Sequence, residues 1–371
     1  MPADTKSHYI GVMSGTSMDA VDAVLLRFDA SGRAKATGGS AVPLPPSLRR
    51  ELLALNSPGP DELGRAALAS AELAGLYARA VDEVLAGTGT PAAAVAAIGV
   101  HGQTVRHRPD LGYTIQINAP ARLAELAGID VVADFRSRDI AAGGQGAPLV
   151  PAFHAAQFSS GRTRVVLNLG GIANITVLGA DGRIHGFDTG PANLLMDAWI
   201  QRHRGLSYDA DGAWAATGTP LPRLLENMLS DPWFAQPPPK STGRDDFHLA
   251  WVARWLDATP GASDAAAADI QATLLQLTAR SVSDAIHRHA PDAADVLVCG
   301  GGSGNGRLVE ALRGHLACPL DSTDRHGLPA QWVEAAAFAW LAWCYDARRA
   351  AGLPDVTGAG KPTILGCKYL A

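Results

Sequence analysis

The chain has 371 residues, of which 47% are hydrophobic and 18% are charged, and its formal net charge is −5. This composition indicates a folded protein long enough for two domains and excludes a disordered chain. The negative net charge argues against a nucleic-acid partner. No apolar run approaches the roughly 18–20 residues that span a bilayer, which argues against a membrane partner.

The four cysteines lie in the C-terminal part of the chain, at Cys299, Cys318, Cys344 and Cys367. They form neither a Cys-x-x-Cys motif nor a cluster with histidines, so we expect no zinc site and no disulfide framework. Residues 1–7 are polar and lead into an expected strand, so no secretory signal peptide is expected. Together these features favour a protein of the reducing cytoplasm.

The most informative stretch is residues 11–22, which connects two apolar runs of strand length, 9–13 and 23–28. A turn of small residues between two such runs predicts a β-hairpin. The polar side chains of this turn are Thr16, Ser17, Asp19 and Asp22. Backbone N–H groups and hydroxyls suit phosphate oxygens, while carboxylates suit a phosphate-bound Mg²⁺. The alternative is an ordinary glycine-turn hairpin that binds no ligand.

Beyond this hairpin, runs of strand length alternate with helix-like segments. A long Ala/Leu-rich run with a polar entry predicts a helix over residues 61–85. The next expected elements are strand 96–100, strand Tyr113–Ile117, helix Pro120–Ala127 and strand 130–133. This alternation predicts a sheet covered by helices. We expect the glycine-rich residues 141–148 either to cross between two domains or to form a loop that touches a ligand.

The second half begins with the layout of the first. Strand Arg164–Leu169, the glycine turn 170–174 and strand 175–178 again place a turn of small residues between two strands. This repetition indicates a duplicated domain whose two copies hold one ligand. The elements expected next are strand 184–187, which ends at Asp188, helix 193–203 and helix 269–289.

A third glycine turn, residues 300–305, follows the expected strand Asp295–Cys299 and precedes a helix that ends near His315. Glycines allow a backbone to approach a nucleotide closely because no Cβ intervenes. The turn lacks the lysine of a P-loop and the G-x-G-x-x-G spacing of a dinucleotide fold, so we expect neither of those two classes.

Three glycine turns in this order resemble the sugar kinase, Hsp70 and actin superfamily, in which two hairpins hold phosphates and a later turn holds adenosine. Within it, eight motifs resemble the anhydro-N-acetylmuramic acid kinase family and extend over nearly the whole chain. They are Gly-Val-Met-Ser-Gly-Thr-Ser-Met-Asp (11–19), His-Gly-Gln-Thr (101–104), Asp-Phe-Arg-Ser-Arg-Asp-Ile-Ala (134–141), Gly-Gly-Gln-Gly-Ala-Pro-Leu-Val-Pro (143–151), Asn-Leu-Gly-Gly-Ile-Ala-Asn (168–174), Asp-Thr-Gly-Pro-Ala-Asn (188–193), Lys-Ser-Thr-Gly-Arg (240–244) and Cys-Gly-Gly-Gly-Ser (299–303).

The resemblance implies an α/β protein with the two-domain sugar kinase/Hsp70/actin-like fold, a duplicated ribonuclease H-like fold with a central cleft. We expect domain I to comprise residues 1–137 completed by 345–371, and domain II to comprise residues 138–344. The implied reaction opens 1,6-anhydro-N-acetylmuramic acid with water and phosphorylates its O6 from ATP. Its products, N-acetylmuramic acid 6-phosphate and ADP, belong to the recycling of cell-wall sugars.

The resemblance also implies that the three glycine turns bind ATP. The residues carried over are Gly15, Thr16, Ser17, Met18, Asp19, Ala20, Val21 and Asp22 in the first turn, Gly170, Gly171 and Asn174 in the second, and Gly300, Gly301, Gly302 and Ser303 in the third. Mg²⁺ is expected with ATP, and Asp19 or Asp22 would anchor it through water. The alternative for either aspartate is a turn-capping role. Ala20 departs from the family's usual glycine, which adds a methyl group but removes no donor.

For Asp188, the resemblance implies the role of general base that activates the water. An activated water that attacks C1 corresponds to the base half of an inverting glycosidase. The departing O6 then takes the γ-phosphoryl group where it would otherwise need a proton. The alternative from the residues alone is that Asp188 caps the N-terminus of the helix that begins at Asn193.

Polar residues at strand ends of the first half are candidates for the sugar site. They are His101, Gln103, Asp134 and Arg136, joined by Glu334 at the start of a later Ala-rich helix. A guanidinium such as that of Arg136 can bind the lactyl carboxylate of the sugar with two hydrogen bonds. The alternative for Arg136 is a structural salt bridge to Asp134 or Asp139, and for Glu334 it is an interaction with the positive helix N-terminus.

Two other functions remain open from the sequence, namely a kinase of another small sugar on the same fold and an actin- or Hsp70-like nucleotide switch. The motifs occupy nearly the full length, which leaves no domain-sized segment for a filament surface or for peptide binding. A sugar-responsive repressor would need a DNA-binding domain before the first expected strand. A homodimer is an expectation of the family alone.

Overall fold

The computed structural model describes residues 7–15 and 18–371, and this part of the chain divides into two compact units. The first unit contains the residues up to Phe158 and those from Gly327 onwards, and the second unit spans Ser159–His326. The chain therefore passes between the units after residues 158 and 326, whereas the sequence led us to expect boundaries after residues 137 and 344.

The N-terminal part of the first unit alternates strands and helices as expected. Its strands are β1 (His8–Ser14), β2 (Ala20–Phe28), β3 (Ala34–Pro43), β4 (Val95–Val100), β5 (Gln103–Arg108), β6 (Tyr113–Ile117) and β7 (Val131–Ala133). Its helices are α1 (Pro46–Ala54), α2 (Glu62–Thr88), α3 (Pro120–Ala127), α4 (Phe135–Ala141) and α5 (Val150–Phe158).

The second unit begins with the second predicted hairpin. Its strands are β8 (Arg164–Leu169), β9 (Ile172–Leu178), β10 (Ile184–Pro191), β11 (Asp295–Cys299) and β12 (Leu320–Ser322). Its helices are α6 (Asn193–Arg204), α7 (Pro222–Leu229), α8 (Pro232–Ala235), α9 (Leu249–Ala258), α10 (Ala267–His289) and α11 (Gly306–His315). The chain then returns to the first unit with α12 (Val333–Asp346), α13 (Pro354–Thr357) and β13 (Cys367–Tyr369).

The two units share one strand order, which supports the duplication inferred from the two glycine hairpins. In the first unit the order is β3-β2-β1-β4-β7, with β13 added at the edge, and in the second unit it is β10-β9-β8-β11-β12. In both, the hairpin strands are antiparallel and the strands that follow are parallel to the central strand. Parallel neighbours need crossover connections, and helices supply them.

No described helix has both the length and the apolar character that crossing a membrane requires.

The glycine-rich residues 141–148 lie inside the first unit, so they do not cross between units. They fold around Asp139, which is fully buried. Its carboxylate accepts hydrogen bonds from the Gly146 N–H at 2.7 Å and from Thr357 Oγ1 at 2.8 Å. A Cβ on Gly144 would collide with the same carboxylate. These glycines are needed because the backbone wraps closely around a buried anion.

Helix α12 lies unusually close to β1 and β4. Gly11 of β1 and Gly99 of β4 are neighbours in the parallel register, and a Cβ on either would overlap the helix backbone, at Ala335 and Phe338 respectively. The helix is alanine-rich, and most of its residues are buried. Small residues on both surfaces let the sheet and helix approach to backbone contact, which leaves no room for a larger side chain.

We expect Gly99→Ala to destabilise the protein by roughly 1–3 kcal/mol or more, because the added methyl group meets rigid helix backbone. Gly75→Ala is the matched control. Gly75 lies in α2 of the same unit with open space where its Cβ would be, and alanine is about 1 kcal/mol more favourable than glycine in a helix. Urea unfolding measures both variants. An unchanged midpoint for Gly99→Ala would contradict the close packing.

Candidate active site

Asp188 lies within β10, because the strand continues past the expected end at residue 187 to Pro191. It pairs with Asn174 of β9, and the register shifts between Asp188 and Gly190. Helix α6 begins with Ala192 as its N-cap residue and has no side-chain cap. The alternative in which Asp188 caps this helix is therefore wrong, and its carboxylate is left for another purpose.

The carboxylate of Asp188 is partly buried and has few compensating partners among the described residues. Its Oδ2 accepts a hydrogen bond from the Thr242 N–H at 2.9 Å, and its own N–H donates to the Lys240 carbonyl at 3.1 Å. Burial raises the pKa of Asp188 to about 6, although the Thr242 N–H and the Lys240 charge act in the opposite direction. At neutral pH the carboxylate is thus ionised but readily accepts a proton, which suits a general base.

The second glycine turn lies beside the start of α6. The carbonyls of Gly170 and Gly171 accept hydrogen bonds from N–H groups of residues 192–194, at 2.9–3.1 Å. They therefore cap the N-terminal turn of α6, a structural task that the sequence did not indicate. The N–H groups of the turn are not used in these bonds.

The third glycine turn adjoins the second. Gly300 has φ +83°, which favours glycine, and a Cβ there would collide with Asn168 at the end of β8. A Cβ on Gly302 would lie 3.0 Å from the side chain of Asn193, the first residue of α6. The Ser303 hydroxyl donates to the Gly300 carbonyl at 2.7 Å, which closes the turn. The structure thus brings Gly170–Gly171 and Gly300–Ser303 together around Asn168 and Asn193, two residues without a predicted role.

The first glycine turn belongs to the first unit, and Thr16 and Ser17 lie outside the described residues. The side chains of Met18 and Val21 are buried in the hydrophobic core of that unit. Ala20 opens β2 opposite Pro43 of β3. Only the backbone of these three residues is therefore suited to contact a ligand, together with Gly15, whose carbonyl accepts the Met18 N–H at 3.1 Å.

The two aspartates of this turn differ in environment. Asp19 is exposed and forms an ion pair with Arg49 at 3.3 Å. Asp22 is partly buried in β2, and burial raises its pKa to about 6. Among residues 7–15 and 18–371, no three or more His, Cys, Asp or Glu side chains form a cluster that could hold a metal. Asp22 is therefore the better candidate of the two for anchoring a cation that arrives with its own ligands.

A cluster around His101 and Arg136 forms the other polar site of the first unit. Arg136 donates from Nε and Nη2 to His101 Nε2, at 3.1 and 2.9 Å, and from Nη1 to the Gly146 carbonyl at 2.8 Å. Burial, and then the Arg136 charge, lower the pKa of His101 well below its ordinary value. The imidazole is therefore neutral and carries its proton on Nδ1, because Nε2 accepts. Its ring lies 4.7 Å from that of Phe338 on α12.

The salt-bridge alternative for Arg136 is wrong. Asp139 binds Gly146 and Thr357 instead, and Asp134 is exposed. Burial lowers the pKa of Arg136 to about 10, so it remains a cation, while the charges of Glu334 and Asp139 oppose this shift. Within the described part of the chain, no carboxylate lies within the ion-pair distance of 4 Å from Arg136. This buried cation is hydrogen-bonded only to neutral groups, which suits an anionic ligand.

The remaining predicted residues of the sugar site divide in two. Gln103 is buried at the start of β5, and its Oε1 has no hydrogen-bond partner among the described residues. Glu334 lies in the first turn of α12, where a negative charge is also favourable for the helix. Asp134 is exposed at the start of α4, with φ +56°. The structure thus groups His101, Arg136 and Glu334 electrostatically, whereas Asp134 is exposed and makes no side-chain cap to α4.

Lys240 and Thr242 contact Asp188 and were not among the predicted site residues. Their motif was recognised, but no role was assigned to it, because nothing local connects residues 240–242 to a strand more than 50 positions earlier. Only the fold shows that this loop lies on β10 at Asp188.

Comparisons with known proteins agree with these observations. The family model "Anhydro-N-acetylmuramic acid kinase" matches residues 7–371. Proteins named anhydro-N-acetylmuramic acid kinase are 57% identical in Bordetella petrii (98% of this chain, 96% of the relative), 53% in Chromobacterium violaceum (97% and 98%) and 51% in Pseudomonas putida (98% and 99%).

Among solved structures, component A of (R)-2-hydroxyglutaryl-CoA dehydratase from Acidaminococcus fermentans is similar with a TM-score of 0.50 and 14% identity, over 90% of this chain and 96% of that one. This likeness concerns the fold alone. Two α/β units with one shared strand order confirm the predicted fold class, a duplicated α/β fold. With the family model matched over residues 7–371 and relatives more than 50% identical over nearly their full length, the chain belongs to the anhydro-N-acetylmuramic acid kinase family.

Proposed function

We propose that the protein is an ATP-dependent kinase that opens 1,6-anhydro-N-acetylmuramic acid with water and transfers the γ-phosphoryl group of ATP to O6. The products are N-acetylmuramic acid 6-phosphate and ADP, so the reaction serves the reuse of cell-wall sugars. The family and the names of the relatives support this substrate. The observation that carries the chemistry is Asp188, a partly buried carboxylate with a raised pKa whose side chain accepts one N–H hydrogen bond from the described part of the chain.

In the proposed mechanism, Asp188 takes a proton from a water molecule as the water oxygen bonds to C1 of the sugar. The bond between C1 and O6 breaks, and O6 bonds to the γ-phosphorus of ATP. The bond from that phosphorus to the oxygen bridging to the β-phosphate breaks, and ADP leaves. Asp188 then releases its proton to solvent. One base therefore serves both ring opening and phosphoryl transfer, because the phosphoryl group replaces the proton that the leaving oxygen would need.

Phosphoryl transfer asks the protein mainly for positioning and for neutralising charge. Gly170 and Gly171, together with the first turn, are proposed to place backbone N–H groups against the phosphates, and Gly300–Ser303 to support the adenosine. Mg²⁺, when bound with ATP, supplies charge neutralisation at the phosphates. Asp22 fits this ion, since its partly buried carboxylate has a raised pKa that a nearby cation would lower.

The sugar is proposed to bind at His101, Gln103, Arg136 and Glu334. Arg136 meets the lactyl carboxylate, because its buried cation is paired only with neutral acceptors. The neutral His101 and the amide of Gln103 offer hydrogen bonds to the hydroxyl and acetamido groups of the sugar. Asp134, which is exposed, contributes at most from the edge of this site.

Asp188→Asn should lower kcat by on the order of 10²–10⁴, because the amide keeps the shape but cannot accept the water's proton. ADP release from Mg·ATP, with and without 1,6-anhydro-N-acetylmuramic acid, measures the effect. Asp264→Asn, at an exposed aspartate of the same unit, is the matched control and should keep the rate. ADP release independent of the sugar, or activity only with a plain hexose, would overturn the proposed function.

The same carboxyl predicts a pH dependence of activity. Since the base must be ionised and its pKa is raised to about 6, kcat/KM should fall as the pH decreases through about 6. Asp264→Asn should leave this acid limb unchanged. A rate that stays constant down to pH 5 would contradict the assignment of Asp188 as the base.

A raised pKa also predicts a pH-dependent stability. The native state binds this proton more tightly than the unfolded chain, where the pKa is near 3.9. The free energy of unfolding should therefore fall as the pH rises from about 4 to about 6, by on the order of 3 kcal/mol. Asp188→Asn should thus raise Tm at pH 8 and have a much smaller effect at pH 4.5. An equal change in Tm at both pH values would contradict this origin.

Arg136→Gln should raise the KM for 1,6-anhydro-N-acetylmuramic acid by at least about tenfold, because a charge-assisted hydrogen bond contributes roughly 1.5–3 kcal/mol. The anhydro sugar without the lactyl ether provides the control within the same assay. Its KM should be nearly the same in the variant and the original protein. If both sugars lost affinity equally, Arg136 would have a structural role and would not bind the carboxylate.

A further inference from the structure

The segment Trp233–Asp246 lies against β10 at two consecutive points. The Asp188 N–H donates to the Lys240 carbonyl at 3.1 Å, and the Thr242 N–H donates to Asp188 Oδ2 at 2.9 Å. One bond therefore ties the segment to the strand backbone, and the other ties it to the carboxylate itself. The 233–246 segment thus supplies one hydrogen bond to the backbone of Asp188 and one to its carboxylate.

Each of the two contact residues is anchored separately within the 233–246 segment. Lys240 Nζ donates to the carbonyls of Phe234 and Trp233, at 3.1 and 3.4 Å, and lies 4.2 Å from the centre of the Trp233 ring. Thr242 Oγ1 donates to Asp246 Oδ2 at 2.7 Å. The ammonium group is thus used inside the segment, which argues against a role for Lys240 as a direct ligand of phosphate.

The approach of the 233–246 segment to β10 depends on a glycine. Gly190 has φ +140°, and a Cβ there would lie 2.7 Å from Phe234. Phe234 in turn packs against Trp233 and Phe247, with ring centres 5.5 and 5.7 Å away. Phe234 and its aromatic neighbours therefore pack the segment against β10 at Gly190, two residues after Asp188.

We propose that the 233–246 segment is the positioning element of the general base: Lys240 and Thr242 fix the orientation and the proton affinity of Asp188, and Asp246 fixes Thr242. This inference rests on the proposed function, in which Asp188 is the base. Lys240, Thr242 and Asp246 are positioning residues here, since they act through Asp188 and make no contact with the reacting atoms in the proposed mechanism.

Charge supports this assignment. The Lys240 ammonium lowers the pKa of Asp188, and in return Asp188 raises the pKa of Lys240, although burial lowers the latter more strongly. The other titratable groups on β10, on α10 and in the segment are His185 on the strand, Asp269, Arg280, Asp284, His287, Arg288 and His289 on α10, and Arg244, Asp245 and Asp246 in the segment. Lys240 is the one whose charge acts on the pKa of Asp188, and Arg288 acts on Lys240.

The first test compares Lys240→Met with Lys240→Arg. Methionine keeps an unbranched chain over the Trp233 ring but removes the charge, so the pKa of Asp188 should rise and the acid limb of kcat/KM should move to higher pH. Arginine keeps the charge and should return the limb towards its original position. ATP titrates in the same way in every assay. A difference between the pH profiles of the variants is therefore caused by the protein. A purely structural lysine would change the rate without moving the limb.

The second test is a double-mutant cycle on Thr242 and Asp246. Thr242→Val keeps the N–H that binds Asp188 but removes the hydroxyl that binds Asp246, and Asp246→Ala removes the acceptor. Each should lower kcat by roughly tenfold to a hundredfold with little change in KM, because small misplacements of a catalytic group have effects of that order. The double variant should be no worse than either single one. Asp245→Ala removes the neighbouring exposed carboxylate and should keep the rate.

Failure of this inference is distinguishable from failure of the proposed function. If the original protein releases ADP independently of the sugar, the proposed function falls. If release depends on the sugar but Asp188→Asn retains it in full, the kinase function stands, Asp188 is not the base, and the positioning role falls with it. If Asp188→Asn is inactive, but Lys240→Met leaves the acid limb in place or the Thr242 and Asp246 effects multiply independently, only the positioning role is overturned. Thermal unfolding of each variant confirms that the compared proteins are folded.

Discussion

The first unit depends on how closely α12 approaches its sheet. Gly11 and Gly99 allow the backbone of α12 to contact the sheet. This close approach sets the position of two side chains on α12. Phe338 lies beside the ring of His101, and Glu334 is near enough to act on the charge of Arg136. The strands concerned are those that lead into the first glycine turn and into His101. A single packing constraint therefore positions the sheet, the helix and the polar cluster together.

In the second unit, the corresponding constraint is the burial of one carboxylate. Asp188 is kept in a surrounding that disfavours its charge, and the compensation it receives is limited to one N–H donor and the field of one lysine. Full compensation would make the carboxylate too weak a base, while a fully apolar surrounding would keep it protonated at neutral pH. Burial of Asp188 thus has two consequences: it lowers the stability of the protein with the carboxylate ionised, and it raises the pKa of the proposed base.

The two units reuse one strand order for different tasks. In the first unit, the hairpin carries Asp19, which is exposed and paired with Arg49, and Asp22, which is partly buried. In the second, the carbonyls of Gly170 and Gly171 cap α6, and the turn at Gly300 packs against Asn168 and Asn193. Both units have the same strand order, but the polar groups at the strand ends differ between them, so the shared fold carries different local chemistry in each unit.

The sequence by itself determined the family and the bounds of several local elements, but not, for example, β3, α1 or α9. Strands β6, β8 and β11 and helix α3 have the expected bounds, because glycine, proline and apolar runs act over a few residues. It did not determine the bounds of the units, the place of residues 141–148 around Asp139, or the contact of Lys240 and Thr242 with Asp188. These depend on residues far apart in the chain. Burial and hydrogen bonding across such distances set the pKa of Asp188, and only the tertiary structure decides them.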